Sequence, residues 1–479
     1  MSLDKIKSDR LKKLEQIKAA GVNPYPGKTG TKMSVAEVLD EFDILEKEKM
    51  HVSLAGRLRS LRGHGGSTFA NIEDSSGQIQ LFFKKDEIGE KDYDFFADNI
   101  DVGDFIWVSG EPFKTQKGER TLLVKKFQLL AKSMNQLPEK WHGLKDVEER
   151  FRKRYLDLLM NKDVLRRFLL RSKIIRGLRT FFDSEDFVEV ETPILQPLPG
   201  GALANPFVTH LNALDMQLFM RVAPELYLKR LLVGGFEKVY EIGRCFRNEG
   251  MDKLHNPDFT MLEFYWAYAD YEDLIALVEK LFEFLIPHKE IEFQGQKINF
   301  SPPFKRVSMC DLIMEHYGLD IGRAGRGELE AALAKAGGKA ENDMHDCKLT
   351  DELFKTIRPK IIQPTFVTNH PLEMSPLAKE SEKNPKEAAR FQFIAGGLEL
   401  MNAYSELNDP IEQAKRMKEQ EAHRGDEDVQ RFDQDFIDAL EYGMPPAAGL
   451  GLGVDRLVQL LTNSFNIREV ILFPTMKPK

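Results

Sequence analysis

Cysteine is scarce in this chain of 479 residues: Cys245, Cys310 and Cys347 stand far apart, and no CxxC pair occurs. That excludes a disulfide framework and a thiolate zinc site, and it fits a reducing, cytoplasmic compartment. Long apolar runs are missing too. Nowhere do about 18 apolar residues follow one another, so no membrane association is expected. The opening MSLDKIKSDRLKKLEQIKAAG alternates charges and has no apolar stretch, unlike a secretory signal. No GxGxxG leads into a helix and no GxxxxGK(S/T) loop is present, so a nucleotide site must be built another way. Excess positive charge is also absent. A net charge of -8 argues against a protein that simply coats nucleic acid, although it leaves room for a local basic patch.

What is present is the composition of a globular enzyme, 42% hydrophobic and 30% charged, in a chain too long for one core. Leu3, Ile6, Leu11, Leu14 and Ile17 recur at helical spacing, which predicts an amphipathic helix over 3–20. Its lysines read as a solvated face or as an arm touching phosphates. From 51 to about 131 the pattern becomes five short strands with a charged, helical segment at 84–99, the outline of an OB-type barrel. Such barrels stack bases on aromatic rings beside basic groups. Arg62 and Phe69 flank a glycine-rich turn, and Phe69 shares its strand face with polar Asn71 and Glu73, so it reads as exposed. The expected organisation is a helical extension at 1–50, a barrel at 51–134, a linker at 135–150 and an α+β domain at 151–479. A helix-rich insertion around 305–360 receives no chemistry, and IIQPTFVTN after it reads as a strand.

Three stretches of the second half carry charges in apolar frames. In GRCFRNEGMDKLHNPDFTMLEF, residues 243–264, two strands join through a long loop. Alternation puts Arg247 with Glu249 on one strand face and Glu263 with Tyr265 on another. Arg247 offers planar donors for a phosphate or carboxylate. His255 in the loop could reach a terminal phosphate, and Phe259 could stack on a purine. A plain salt-bridge cluster would explain two of these charges but hardly the whole set. In RFQFIAGGLELMNAYSELND, strand alternation aligns residues 400, 402, 404 and 406, so that Asn402, Tyr404 and Glu406 line one wall. With Glu225 and Glu263 they describe a pocket for a cation such as a lysine side chain, one that would repel aspartate. In AAGLGLGVDRLVQLL, Gly449, Gly451 and Gly453 alternate and admit a flat ligand close to the strand, and Arg456 opens the following helix.

Together these blocks resemble motifs 1, 2 and 3 of class II aminoacyl-tRNA synthetases: FFDSEDFVEVETPILQPLPGGA, FRNEG with HNPDF, and GLGLGVDR. RFRKRYLDL, APELYLKRLLVGGF, TMLEFYWAYADY, NAYSELNDP and ALEYGMPPAAG resemble the bacterial-type lysyl branch over nearly the full length. The resemblance implies an OB-fold anticodon-binding barrel followed by an antiparallel sheet flanked by helices. It implies a ligase that forms lysyl-adenylate from L-lysine and ATP and transfers lysine to tRNA(Lys), working as a homodimer through the segment around Pro193. Arg247 and Arg456 would be the catalytic arginines, with Arg247 on the α-phosphate. Glu249 and Phe259 would hold adenine, and His255, Asn256, Glu399, Gly453 and Arg456 the rest of the nucleotide. Lysine would lie against Gly201, Glu225, Glu263, Tyr265, Asn402, Tyr404 and Glu406. Arg62, Phe69 and Gln80 would meet anticodon bases, and Mg2+ would be held through Glu399, with Gln392 and Glu406 as further candidates.

The sequence departs from the family pattern at three positions. Gln392 stands seven residues before Glu399, where a metal-binding carboxylate is usual. Leu254 precedes His255 where an arginine is frequent, and Lys126 stands where a glutamate near the anticodon is frequent. Rival readings are an aspartyl- or asparaginyl-tRNA synthetase, a lysyl transferase acting on protein, and a tRNA-binding paralogue with weakened adenylation.

Overall fold

The computed structural model describes residues 3–138, 146–202, 204–340, 344–422 and 432–478. The chain divides into two compact units, Met1–Gly143 and Leu144–Lys479. In the first, the expected N-terminal helix spans Leu3–Ala19, and two short helices, Val35–Asp40 and Phe42–Lys47, follow it. Five strands, Val52–His64, Ser67–Glu73, Gln78–Lys84, Phe105–Lys114 and Arg120–Ala131, close into a barrel. Alternation drives this closure: Val52, Leu54, Leu58, Ile72, Leu81, Ile106, Val108 and Val124 fill one core while the residues between them face outward. The segment expected to be helical holds two helices, Lys85–Ile88 and Glu90–Asn99.

The expected linker lies partly outside the described residues. Its last part, from Val147, is already helical and belongs to the second unit, where Arg154 is buried and donates to the carbonyls of Leu472, Arg468 and Ile471. An eight-stranded sheet organises this unit. Its six inner strands run antiparallel, in the order Thr365–Pro371, Glu387–Ala395, Leu398–Ser405, Ala447–Gly453, Asp258–Ala267 and Lys238–Phe246. Short strands at the two edges, Lys305–Ser308 and Val188–Glu189, pair in parallel. The helix Tyr271–Leu285, started by an Asp270–Asp273 capping box, buries Leu274, Ile275, Val278 and Leu281 against one face. The opposite face carries the polar residues.

Residues 305–360 do hold three helices, Met309–Tyr317, Arg326–Lys335 and Asp346–Ile357. Their first four residues, however, form the edge strand of the sheet itself. Among the described residues no helix is long and apolar enough to cross a membrane.

Candidate active site

Two rows of side chains cross the polar face of the sheet. Register places Gln392, Asn402, Gly451, Glu263 and Glu241 in one row, and Arg390, Tyr404, Gly449, Tyr265 and Val239 in the next. Over them lies a cavity of roughly 420 Å3 that reaches from Gly201 and Glu225 to Arg247, His255 and Arg456. Most of the expected residues line it: Glu249, Asn256, Phe259, Glu263, Tyr265, Glu399, Asn402, Tyr404 and Gly453 as well.

Two details of the expected strands are corrected. The first strand of the hairpin ends at Phe246, so Arg247 and Glu249 sit in the loop and not on a shared strand face. The ladder stops because its next partner is Pro257, which has no N–H. Arg247 N–H donates to the Pro257 carbonyl at 2.9 Å and closes the loop there. The second correction concerns 400–406. A bulge leaves Leu400 unpaired, between the pairs Phe393–Met401 and Ile394–Glu399. Leu400 and Met401 therefore both enter the core, and Glu399 turns to the cavity side beside Asn402 and Tyr404. Glu406 lies past the strand's last residue, Ser405, but extends the pairing through its N–H to the Ala447 carbonyl.

At one end the site is anionic, but it holds a cation of its own. Lys229, 0% exposed, places its ammonium 2.6 Å from Glu225 and 2.5 Å from Glu406, and 5.5 Å from the Tyr404 ring centroid. Burial works to strip its proton, and the two carboxylates outweigh that and hold it charged. The pocket's negative charge is thus partly matched from within, since Glu225 and Glu406 face one internal ammonium. Its signal was in the sequence, since Glu225 and Lys229 are four apart on the helix Glu225–Val233. Tyr404 donates to Glu225 at 2.6 Å and Tyr265 to Glu263 at 3.2 Å. Burial, then the Glu225 charge, pushes the Glu263 carboxyl up to about 8. Gly201, at φ +88°, lies against Glu225, and an added Cβ would meet the glutamate's own Cβ at 2.8 Å. At Gly449 the room goes to Tyr265 and Glu406, each of which would lie 2.3 Å from a Cβ, and not to a ligand.

Asn402 faces a different task from the one expected of it. Its carbonyl accepts from Arg390 Nε at 2.8 Å, so its NH2 points donors, not an acceptor, toward a ligand. Arg390 also donates to Ser375 and the Met374 carbonyl. Neither Arg390 nor that loop was anticipated as part of the site.

The other end is cationic. Arg456 donates to the Glu399 carbonyl at 3.0 Å and to His255 Nε2 at 3.0 Å. Because a guanidinium only donates, Nε2 is the acceptor, and Nδ1 carries the hydrogen toward Asp252 at 2.9 Å. Arg247 lies over the Phe259 ring at 5.1 Å, so a purine there takes the other face or displaces the guanidinium. Arg247 Nε and Asn256 Oδ1 are buried without a partner among the described residues, which leaves hydrogen-bonding capacity for a ligand. Leu254 packs against the core of the sheet.

A divalent cation fits the expected ligands poorly. The Glu399 carboxylate pairs with Arg358, Glu406 pairs with Lys229, and Gln392 is a buried neutral amide. Among the described residues no group of three or more His, Cys, Asp or Glu side chains is arranged for a metal.

In the barrel, Arg62 stands opposite Phe69, and Phe69 opposite Phe82. Phe69 is 36% exposed and stacks on Phe82 at 4.4 Å, an aromatic pair of which the sequence reading found one half. Gln80 accepts from Thr121, and Lys126 is exposed. If this pair stacks an anticodon base, as the resemblance implies, Phe69→Ala weakens tRNA charging roughly 5- to 100-fold while leaving amino-acid activation unchanged, measured as aminoacylation against ATP–pyrophosphate exchange. Loss of both would make Phe69 structural.

Comparison with known proteins follows the same division. Residues 146–477 match the family model described as tRNA synthetases class II (D, K and N), and 52–130 match the OB-fold nucleic acid binding domain. The chain is 49% identical to a lysine–tRNA ligase of Pelotomaculum thermopropionicum, over 100% of the chain and 96% of that protein. It is also 49% identical to one of Carboxydothermus hydrogenoformans, over 100% and 99%. With one of Moorella thermoacetica it shares 47%, over 98% and 97%.

Proposed function

Because the chain belongs to the class II tRNA synthetases, and among them to the lysine–tRNA ligases, we propose that its cavity binds L-lysine at the carboxylate end and ATP at the arginine end. The activity is the ATP-dependent joining of lysine to tRNA, in a family whose catalysis generally needs a divalent metal. The observation that carries the residue assignment is the opposition of charge within one cavity: Glu225 and Glu263 at one end, with Glu406 buried behind them on Lys229, and Arg247 and Arg456 at the other.

A lysine carboxylate oxygen attacks the α-phosphorus of ATP in line. The bond from that phosphorus to its bridging oxygen breaks, pyrophosphate leaves, and the tRNA 3′ end then takes the lysyl group from the adenylate. The carboxylate is already a nucleophile, so the first step needs positioning and charge stabilisation more than a side-chain base. Arg247 takes the α-phosphate with the Nε that nothing else satisfies. Phe259 carries the adenine and Glu249 its exocyclic amine, while His255, Asn256, Gly453 and Arg456 hold the phosphate and ribose side. Gly201, Glu225, Glu263, Tyr265, Tyr404 and Glu406 surround the lysine ammonium, and the Asn402 amide donates to its carboxylate. In the barrel, Arg62, Phe69 and Gln80 meet the anticodon of tRNA(Lys). The chain works as a homodimer: Val188, Pro193, Ile194 and Leu195 lie exposed around the segment that resembles motif 1. Light scattering is expected to give twice 54.9 kDa, and a monomer would contradict this.

Lysine carries its charge at neutral pH, so it binds the ionised Glu263 and releases that carboxyl's proton. Below pH 8 the proton competes with lysine; above it the competition ends. The KM for lysine is therefore expected to fall roughly tenfold between pH 7 and 8.5, with little change for ATP. A lysine KM that is flat across this range would contradict the assignment of Glu263. The aspartyl and asparaginyl readings lack the basic side-chain pocket they need, and a paralogue without adenylation is not favoured beside such relatives.

A further inference from the structure

We propose that the Arg358 guanidinium takes the place of a protein-bound divalent cation beside Glu399, so that this chain supplies no metal site of its own at the phosphate end of the cavity. This rests on the reading of that end as the ATP site.

Local geometry brings the two residues together. Arg358 opens the 3-10 turn Arg358–Lys360, directly after the helix Asp346–Ile357. Its Nη1 donates to Glu399 Oε2, its Nη2 lies 3.5 Å from Asp351, and its guanidinium lies 5.6 Å from the Phe354 ring centroid. From the other side, the bulge at Leu400 delivers Glu399 to the cavity. Across the hairpin stands Gln392, opposite Asn402 and so on the same sheet face, buried and with its carbonyl oxygen unpaired.

Charge decides what this corner can hold. A hard dication is bound by one or two carboxylates together with substrate phosphates. Here the Glu399 carboxylate is neutralised by a guanidinium, and Gln392, on the same sheet face opposite Asn402, is a neutral amide. Arg456 adds a second positive group on the Glu399 carbonyl. A dication brought in beside Glu399 would meet repulsion from two guanidinium groups, whereas the phosphates of ATP would meet attraction from them. Arg358 is thus a positioning residue: it fixes Glu399 and supplies standing charge that the metal would otherwise bring. Any divalent ion would then have to be held by the phosphates of the nucleotide and not by Glu399.

The test counts ions. Full-length protein is saturated with lysine and α,β-methylene-ATP, nucleotide binding is verified by equilibrium dialysis, and bound Mn2+ per chain is read from the electron paramagnetic resonance of the free ion. Glu399→Gln is expected to bind as many Mn2+ ions as the unaltered chain, and the double variant Arg358→Met, Gln392→Glu one more. Loss of an ion in Glu399→Gln would overturn the proposal, as would a double variant that gains none. Should the double variant fail to fold, Glu399→Gln decides alone. A chain that binds no nucleotide would contradict the ATP-site reading, and the proposal would fall with it.

Discussion

Arg247→Ala is expected to lower lysine-dependent ATP–pyrophosphate exchange by about 10²- to 10³-fold, in kcat more than in the KM for lysine. The guanidinium sits at the mouth of the hairpin loop, its Nε buried and without a partner among the described residues, with the Phe259 ring 5.1 Å beneath it. A preorganised donor aimed at charge that rearranges during in-line attack is worth about 3–4 kcal/mol, far above a surface ion pair. Arg247→Lys would recover little, because an ammonium cannot reproduce the planar pair of donors. Lysine binding, measured by calorimetry without ATP, should persist in both variants, since Glu225, Glu263 and Glu406 are untouched. A fall confined to the KM for ATP, with kcat intact, would mean that Arg247 binds ground-state nucleotide only.

The largest effect on stability is expected at Lys229. Lys229→Met removes the cation between Glu225 and Glu406 and leaves two buried carboxylates facing each other and Glu263. Breaking a buried pair from one side costs about 3–5 kcal/mol. Melting of this unit should fall by roughly 5–10 °C, followed by calorimetry or circular dichroism. Lys229→Met, Glu406→Gln should recover part of that loss, because one unpaired charge is removed with its partner. Added lysine should raise the melting temperature of Lys229→Met more than that of the unaltered chain, since the ligand ammonium enters a site with one more unpaired charge. A shift below about 1 °C would mean that water reaches these carboxylates and the pairing stabilises little.

Much of this site was legible before the structure. The wall of Asn402 and Tyr404 and the alternate glycines follow from period-2 alternation, Arg247 and Phe259 from the charges and rings of one hairpin, and the cavity gathers them although Arg247 left the strand for the loop. What alternation cannot supply is a break in its own phase. Leu400 and Met401, two adjacent apolar residues, are the mark of the bulge, but in sequence they read equally well as one strand facing two cores. Lys229 went unnoticed because a lysine in a helix is ordinarily solvated, and only the fold shows that its stem runs into the core. Arg358 and Glu399 are 41 residues apart in the chain, and the helical segment before Arg358 gave no hint that it ended at the cavity. Phe82 was not singled out, because it stands between the core residues Leu81 and Phe83, and only the fold stacks its ring on Phe69.

The central claim, an anionic pocket joined to an arginine-lined nucleotide end, is tested most directly by ATP–pyrophosphate exchange with each of the twenty amino acids in turn. Stimulation by lysine alone, with no response to norleucine, whose uncharged side chain lacks the ε-amino group, as a control, is the result the account predicts. Exchange driven by aspartate or asparagine, or none with any amino acid from folded protein that binds ATP, would contradict it.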